Sequence, residues 1–217
     1  MKWFLHRERN NQMADRSFEL EQNSPSYFDD RDRAVLQIIG NEGLLGFTFE
    51  GLRRRLGTHS ETLSRILSRL EKDSILARTA EGYVVTERGR EAAVSLRTGA
   101  GSPGTTILRT VLPTVSDSHL VVSSLMGKWF GNLRWFGYSG TVGATVLKWV
   151  TEDGLAQVDA TFSGYELTIR GRAGRSGDMP AAIAASHRLV GYISRLYTQQ
   201  HGRVDNYMSA DSTVGEN

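Results

Sequence analysis

The stretch Ser60-Glu61-Thr62-Leu63-Ser64-Arg65-Ile66-Leu67-Ser68-Arg69-Leu70-Glu71-Lys72-Asp73 is the most informative part of the sequence. Its apolar residues recur at positions i, i+3, i+4 and i+7, which predicts a helix with one buried face. That face consists of Leu63, Ile66, Leu67 and Leu70. Small polar and basic side chains occupy the rest of the helix surface. Thr58 or Ser60 can cap its first turn.

Two helices are predicted upstream of this stretch. The first follows Asp29, and the acidic residues at its start suit the positive end of a helix dipole. The second begins at Thr48 and ends at Gly57, with Arg53, Arg54 and Arg55 clustered beside its apolar face. A tight turn at Gly57 joins it to the third helix, which is the helix-turn-helix layout.

Two short strands are predicted downstream, over residues 75–79 and 83–86, with Ala80-Glu81-Gly82 as the turn between them. A fourth helix is predicted to begin at Thr86. The predicted order of elements is therefore three helices, a hairpin and a helix.

Residues 31–97 resemble the winged helix-turn-helix of MarR-type and related bacterial and archaeal transcription regulators. The third-helix stretch carries this resemblance, and it continues through Ile75-Leu76-Ala77-Arg78 and Gly82-Tyr83-Val84-Val85-Thr86-Glu87-Arg88-Gly89. The resemblance implies a prokaryotic DNA-binding protein whose third helix enters the major groove and whose hairpin, the wing, contacts the backbone. One departure is Ser74, where the family usually has the glycine that a left-handed conformation favours.

The candidate DNA-binding residues lie on the second and third helices and on the hairpin. Arg65 can contact guanine or phosphate, and the other basic side chains are candidate phosphate ligands. The alternative is an ordinary solvated face, because residues 29–97 hold 12 basic and 11 acidic residues. The candidates are Arg53, Arg54, Arg55, Thr58, His59, Ser60, Thr62, Ser64, Arg65, Arg69, Lys72 and Arg78.

A Gly/Ser/Pro-rich segment, residues 98–104, indicates a domain boundary. We predict a disordered leader (1–28), a winged helix-turn-helix domain (29–97), a linker (98–106), an α+β domain (107–202) and a flexible tail (203–217). The predicted fold class is α+β, an N-terminal winged helix-turn-helix followed by a small C-terminal antiparallel sheet flanked by helices. Met13 is an alternative start of the chain.

The second unit combines alternating strands with a long amphipathic helix after residue 178 and an unusual number of aromatic side chains. An ordinary core beneath a small sheet is the simplest interpretation of those rings. A pocket for an apolar or aromatic effector, or a dimer interface, is the functional one. The residues concerned are Trp129, Phe130, Trp135, Phe136, Tyr138 and Trp149.

Composition excludes several classes of function. The chain has no cysteine, which rules out disulfides, iron–sulfur clusters and cysteine nucleophiles. Its five histidines show no metal-ligand spacing, and no nucleophile motif surrounds its serines. We therefore expect no enzyme activity, no metal and no cofactor. No apolar run approaches the roughly 20 residues of a membrane-spanning helix.

The sequence thus predicts a cytoplasmic, nucleoid-associated transcription regulator that binds double-stranded DNA as a homodimer. The second unit is expected to mediate dimerisation, sensing of a small-molecule effector, or both. The alternative is a protein-interaction module that docks onto a transcription or chromosome-maintenance complex without reading sequence.

Overall fold

The computed structural model describes residues 28–99, 104–112, 115–173 and 179–210. The predicted leader up to residue 27, with Met13, lies outside this part, as do linker residues 100–103 and tail residues 211–217. The helices are α1 (Asp30–Glu42), α2 (Phe49–Leu56), α3 (Ser60–Lys72), α4 (Glu87–Ser95), α5 (Val115–Leu125) and α6 (Met179–Ala210). The strands are β1 (Leu44–Phe47), β2 (Leu76–Thr79), β3 (Gly82–Val85), β4 (Thr105–Val111), β5 (Leu133–Thr141), β6 (Ala144–Thr151), β7 (Ala156–Ser163) and β8 (Glu166–Ala173).

All of these strands belong to one antiparallel sheet of eight strands, in the order β2-β3-β1-β5-β6-β7-β8-β4. The predicted fold class, an N-terminal winged helix-turn-helix followed by a small C-terminal sheet, is therefore wrong. The physical reason is β1, a strand that the sequence did not reveal. It pairs with β3 on one side and with β5 on the other, and so joins the hairpin to the C-terminal strands.

The residue after β1 fixes α2 to the sheet. The amide of Thr48 donates to the carbonyl oxygen of Phe136 at 2.9 Å, and its hydroxyl donates to the carbonyl oxygen of Trp135 at 3.0 Å. The same hydroxyl accepts from the amide of Gly51 at 3.0 Å, which caps α2. The start of α2 is thus held by β5.

Two apolar clusters lie on the sheet, and the first one crosses the predicted domain boundary. It contains the buried residues of α1 to α4 together with Phe136 of β5 and Val150 of β6. The second lies beneath α5 and α6 and includes Trp149 and Val158. Alternate residues of a strand face opposite sides, so Lys148, beside Trp149, faces α1.

The elements expected of the first 97 residues are largely present. The stripe Leu63, Ile66, Leu67 and Leu70 of α3 is buried, as predicted. The N-cap of α3, however, is His59, which makes no side-chain capping bond. Ser74 adopts a left-handed conformation with φ of 57°.

In the second unit, one strand and the end of the last helix differ from the predicted boundaries. Residues 105–111 form β4, the outermost strand of the sheet beside β8. Helix α6 continues to Ala210, past residue 203 where the tail was predicted to begin.

Candidate nucleic-acid interface

Helix α3 presents a continuous polar surface to solvent. Because its apolar stripe is fully packed against α1, α2 and the hairpin, the opposite side chains point outward. Ser60, Ser64 and Ser68 recur every four residues along this exposed side. Such short side chains let another molecule approach the helix backbone closely.

Three basic side chains flank these serines, and two of them are held by carboxylates. Arg65, 74% exposed, pairs with Glu61 at 2.5 Å. Arg69 donates to Asp32 of α1 at 2.6 Å, and this hydrogen bond is the chief reason that its pKa is raised. Lys72 is exposed at the end of the helix. If Arg65 and Arg69 bind phosphate, their ion pairs with Glu61 and Asp32 are exchanged for contacts to the phosphate.

The β2–β3 hairpin lies beside this face. Arg78 is exposed, and its guanidinium carbon lies 5.9 Å from the centre of the Tyr83 ring. Ser64, Ser68 and Arg78 line one open groove of about 1160 Å³. Helix α3 and the hairpin thus present one joint surface.

Residues that follow α5 also line that groove. Met126 and Trp129 line it, and both are exposed, Trp129 to 63%. The guanidinium of Arg134 lies 4.8 Å from the Trp129 ring centre, a cation–π contact. The groove therefore combines a polar wall on α3 with an apolar aromatic wall.

The three arginines of α2 do not all lie on the same side of the helix. Arg53 and Arg54 pair with Glu50 at 3.0 and 3.4 Å, and Arg54 also lines the groove. Arg55 points the other way, to Glu42 at 3.4 Å. The structure therefore does not bring Arg55 to the α3 face.

The remaining candidates lie at the start of α3. His59 and Ser60 are exposed, and Thr58 and Thr62 are half-buried. These residues form the amino-terminal end of the exposed face, where backbone amides point outward.

Most of the aromatic candidates are core residues. Phe136 and Trp149 are fully buried, and Phe130 and Trp135 nearly so. The indole N–H of Trp149 donates to the carbonyl oxygen of Lys128 at 2.8 Å. Of the six aromatic candidates, the exposed Trp129, the half-buried Tyr138 and the nearly buried Trp135 line the groove.

A buried ionic cluster between α1 and the sheet was missed by sequence reasoning. Arg172 of β8 donates to Glu42 at 2.6 Å and to Asp159 at 2.9 Å, and Lys148 lies 3.3 Å from each of these carboxylates. Burial alone would raise the pKa of Glu42, but Lys148, Arg172 and Arg55 outweigh burial and lower it to about 2. In the sequence these charged residues resemble solvent-facing positions, so no signal marked the cluster.

Comparison with family models, with curated proteins and with solved structures finds no match to this chain. Among the residues that the structure describes, no three histidine or acidic side chains are grouped so as to hold a metal ion. Across the same residues, every helix is too short or too polar to cross a bilayer.

Proposed function

We propose that this protein is a DNA-binding transcription regulator, with α3 in the major groove of duplex DNA and the β2–β3 hairpin on the backbone. The observation that supports it is the exposed face of α3, where serines at four-residue intervals are flanked by Arg65, Arg69 and Lys72. Short side chains permit close approach to base edges, and the basic ones suit phosphate or guanine. The resemblance to winged helix-turn-helix regulators belongs to the same proposal.

The proposal extends to assembly and location. One helix of this length reads few base pairs, and two half-sites in a homodimer multiply the specificity. A small-molecule effector would act by changing the spacing between the two α3 helices of the homodimer. A cytoplasmic, nucleoid-associated location follows from the DNA-binding role.

A second function is favoured by a specific observation, the composition of the groove. Two of the three α3 cations are already paired with carboxylates. The groove lining also exposes Met126 and Trp129, residue types that are enriched in protein interfaces. A protein-interaction module would bind its partner in this groove and would not read base sequence.

Fluorescence anisotropy of a labelled duplex against salt concentration separates the two functions. A DNA-binding protein loses affinity steeply with salt, with a slope set by the number of phosphates neutralised. We expect Lys72→Gln to reduce that slope by about one unit if Lys72 contacts one phosphate. Arg109→Gln, on the outermost strand β4 and 65% exposed in its side chain, is the matched control that removes a charge elsewhere.

Two results would count against the DNA-binding proposal. The first is binding that is equally weak for random and genomic duplexes and disappears with modest salt. The second is an equal loss of affinity in Lys72→Gln and Arg109→Gln, which would indicate a general charge effect.

A further inference from the structure

A pocket of about 480 Å³ lies between the first two helices and the C-terminal strands. We call it the seam pocket. It is lined by side chains of α1, α2 and β6 to β8, chiefly Ile38, Asn41, Glu42, Arg55, Gln157 and Arg172. The exposed face of α3 contributes none of its lining residues. This volume falls within the range of small-molecule sites, about 300–1,000 Å³.

Among the described residues, the ionic cluster at the seam pocket holds more cations than carboxylates. Lys148 and Arg172 each contact both Glu42 and Asp159, so these two cations neutralise the two carboxylates. Arg55 is the third cation of this cluster in the described part of the chain. Among the described residues, its one carboxylate contact runs from Nη2 to Glu42 Oε1 at 3.4 Å, and its side chain is only 32% exposed.

Three polar atoms in the pocket lining have no hydrogen-bond partner, among the described residues. They are Nε of Arg55, Oε1 of Gln157 and Oδ1 of Asn41, all of them buried. A buried polar atom without a partner is unfavourable, because it has lost its hydrogen bonds to water. The lining therefore holds one unused donor on a cation and two unused acceptors.

The unused groups specify the chemistry of a ligand. The unused Nε–H of Arg55 can donate a charge-assisted hydrogen bond to a carboxylate or phosphate, while Nη2 keeps its contact with Glu42. The amide oxygens of Gln157 and Asn41 accept hydrogen bonds, so they require a ligand with hydroxyl or amino donors. Ile38 and Val150 supply an apolar wall.

We propose that the seam pocket binds a small organic anion, whose carboxylate or phosphate is held by Arg55 and whose hydroxyl or amino groups donate to Gln157 and Asn41. This site is distinct from the aromatic residues that the sequence suggested for an effector. The proposal stands on the pocket itself and does not require that the protein bind DNA.

Isothermal titration calorimetry on the full chain without DNA tests the proposal. The probes are ribose 5-phosphate and L-malate, which carry hydroxyl donors with a phosphate or with carboxylates, and ribose is the neutral control. We expect saturable binding of one anion and none of ribose. Whichever probe binds shows whether the pocket recognises a phosphate or a carboxylate.

Variants locate the binding site. We expect Arg55→Gln to weaken binding at least about tenfold, because it removes a charge-assisted hydrogen bond to the anion. Arg53→Gln, on the same helix and paired with Glu50, should bind as the parent does. Asn41→Ala removes one acceptor at a half-buried position and tests the site independently should Arg55→Gln fail to fold.

Three outcomes would overturn the proposal. They are the absence of saturable binding by either anion, an unchanged affinity in both Arg55→Gln and Asn41→Ala, and an equal loss in Arg53→Gln and Arg55→Gln. Each would mean that the unused polar atoms of the pocket do not form a ligand site.

Discussion

Gly137 of β5 lies against Gly46 of β1, so close that a Cβ atom on Gly137 would come within 2.3 Å of the Gly46 carbonyl oxygen. The contact lies where β1 and β5 pair, with Gly46 opposite Tyr138 and Phe47 opposite Gly137. Through this pairing the hairpin and the C-terminal strands become one sheet. The continuity of the sheet therefore depends on the absence of a side chain at these two positions.

We expect Gly137→Ala to destabilise the protein by about 1–3 kcal/mol, as overpacking of a tight contact does. The clash is with backbone atoms, which cannot move aside as the end of a flexible side chain can. Urea unfolding measures the change. Gly191→Ala in α6 is the control, because its Cβ would meet no atom within 4 Å. If the two variants were equally stable, the described contact would be wrong.

Acid should weaken the contact between α1 and the sheet. The pKa of Glu42 is about 2 in the folded protein, against an ordinary value of 4.5 for a glutamate side chain. Because the folded pKa is the lower one, the stabilisation by ionised Glu42 is complete above pH 4.5 and is lost as the pH falls toward 2. The loss is on the order of 3 kcal/mol.

Glu42→Gln tests this assignment through urea unfolding across the same pH range. The variant leaves Lys148 and Arg172 with one carboxylate fewer, so it should be less stable than the parent near neutral pH. The difference between variant and parent should shrink as the pH approaches 2. A difference that is independent of pH would show that Glu42 is not the titrating group.

Glu61 competes with DNA for Arg65 in the proposed function. Glu61→Gln frees Arg65 and removes a negative charge beside the expected phosphates, so we expect the affinity for duplex DNA to rise about threefold or more at low salt. The gain should shrink as salt increases. Anisotropy titrations measure both effects.

Glu166→Gln is the matched control for Glu61→Gln, because Glu166 pairs with Arg109 at the opposite end of the sheet. It should leave DNA affinity unchanged. A gain of similar size in both variants would point to net charge alone and not to the α3 face.

The tryptophans should differ sharply in their contribution to stability. Trp149 is fully buried and touches the rings of Phe130 and Trp135, so Trp149→Ala should cost about 3–5 kcal/mol. Trp129 is 63% exposed, and Trp129→Ala should cost less than about 1 kcal/mol. Equal losses on urea unfolding would contradict the placement of Trp129 in the open groove.

The sequence predicted elements whose signal is local. The stripe of α3 recurs with helical spacing, and the strands after residue 132 alternate, so short windows were sufficient to recognise both. The cap on α2 at Thr48 and the helix after Thr86 followed from capping preferences.

The arrangement of the sheet was not predictable in this way. β1 is only four residues long, Leu44-Leu45-Gly46-Phe47, and shows no alternation. Its partner β5 lies far away in the chain. Pairing between such distant segments produces no periodic pattern in the sequence. The Gly/Ser/Pro segment indicated a boundary, yet β1, on the near side of that segment, joins the two halves of the sheet.

The seam pocket could not be predicted from the sequence for a related reason. Lys148, Asp159 and Arg172 lie on three neighbouring strands, and in the sequence their charge suggests solvent-facing positions, with Arg172 in a glycine-rich basic stretch typical of a loop. They are covered because α1 places Glu42 over them. Only the packing of α1 on the sheet converts a polar strand face into a buried cluster.

Site-directed photocrosslinking tests the central claim, that the exposed face of α3 contacts DNA. The chain contains no cysteine, so Ser64→Cys provides a single thiol for a photoreactive label on that face. Ser163→Cys, exposed at the end of β7, is the control. We predict crosslinks to duplex DNA from position 64 and none from position 163. Crosslinks from neither position, or equally from both, would contradict the proposed role of α3.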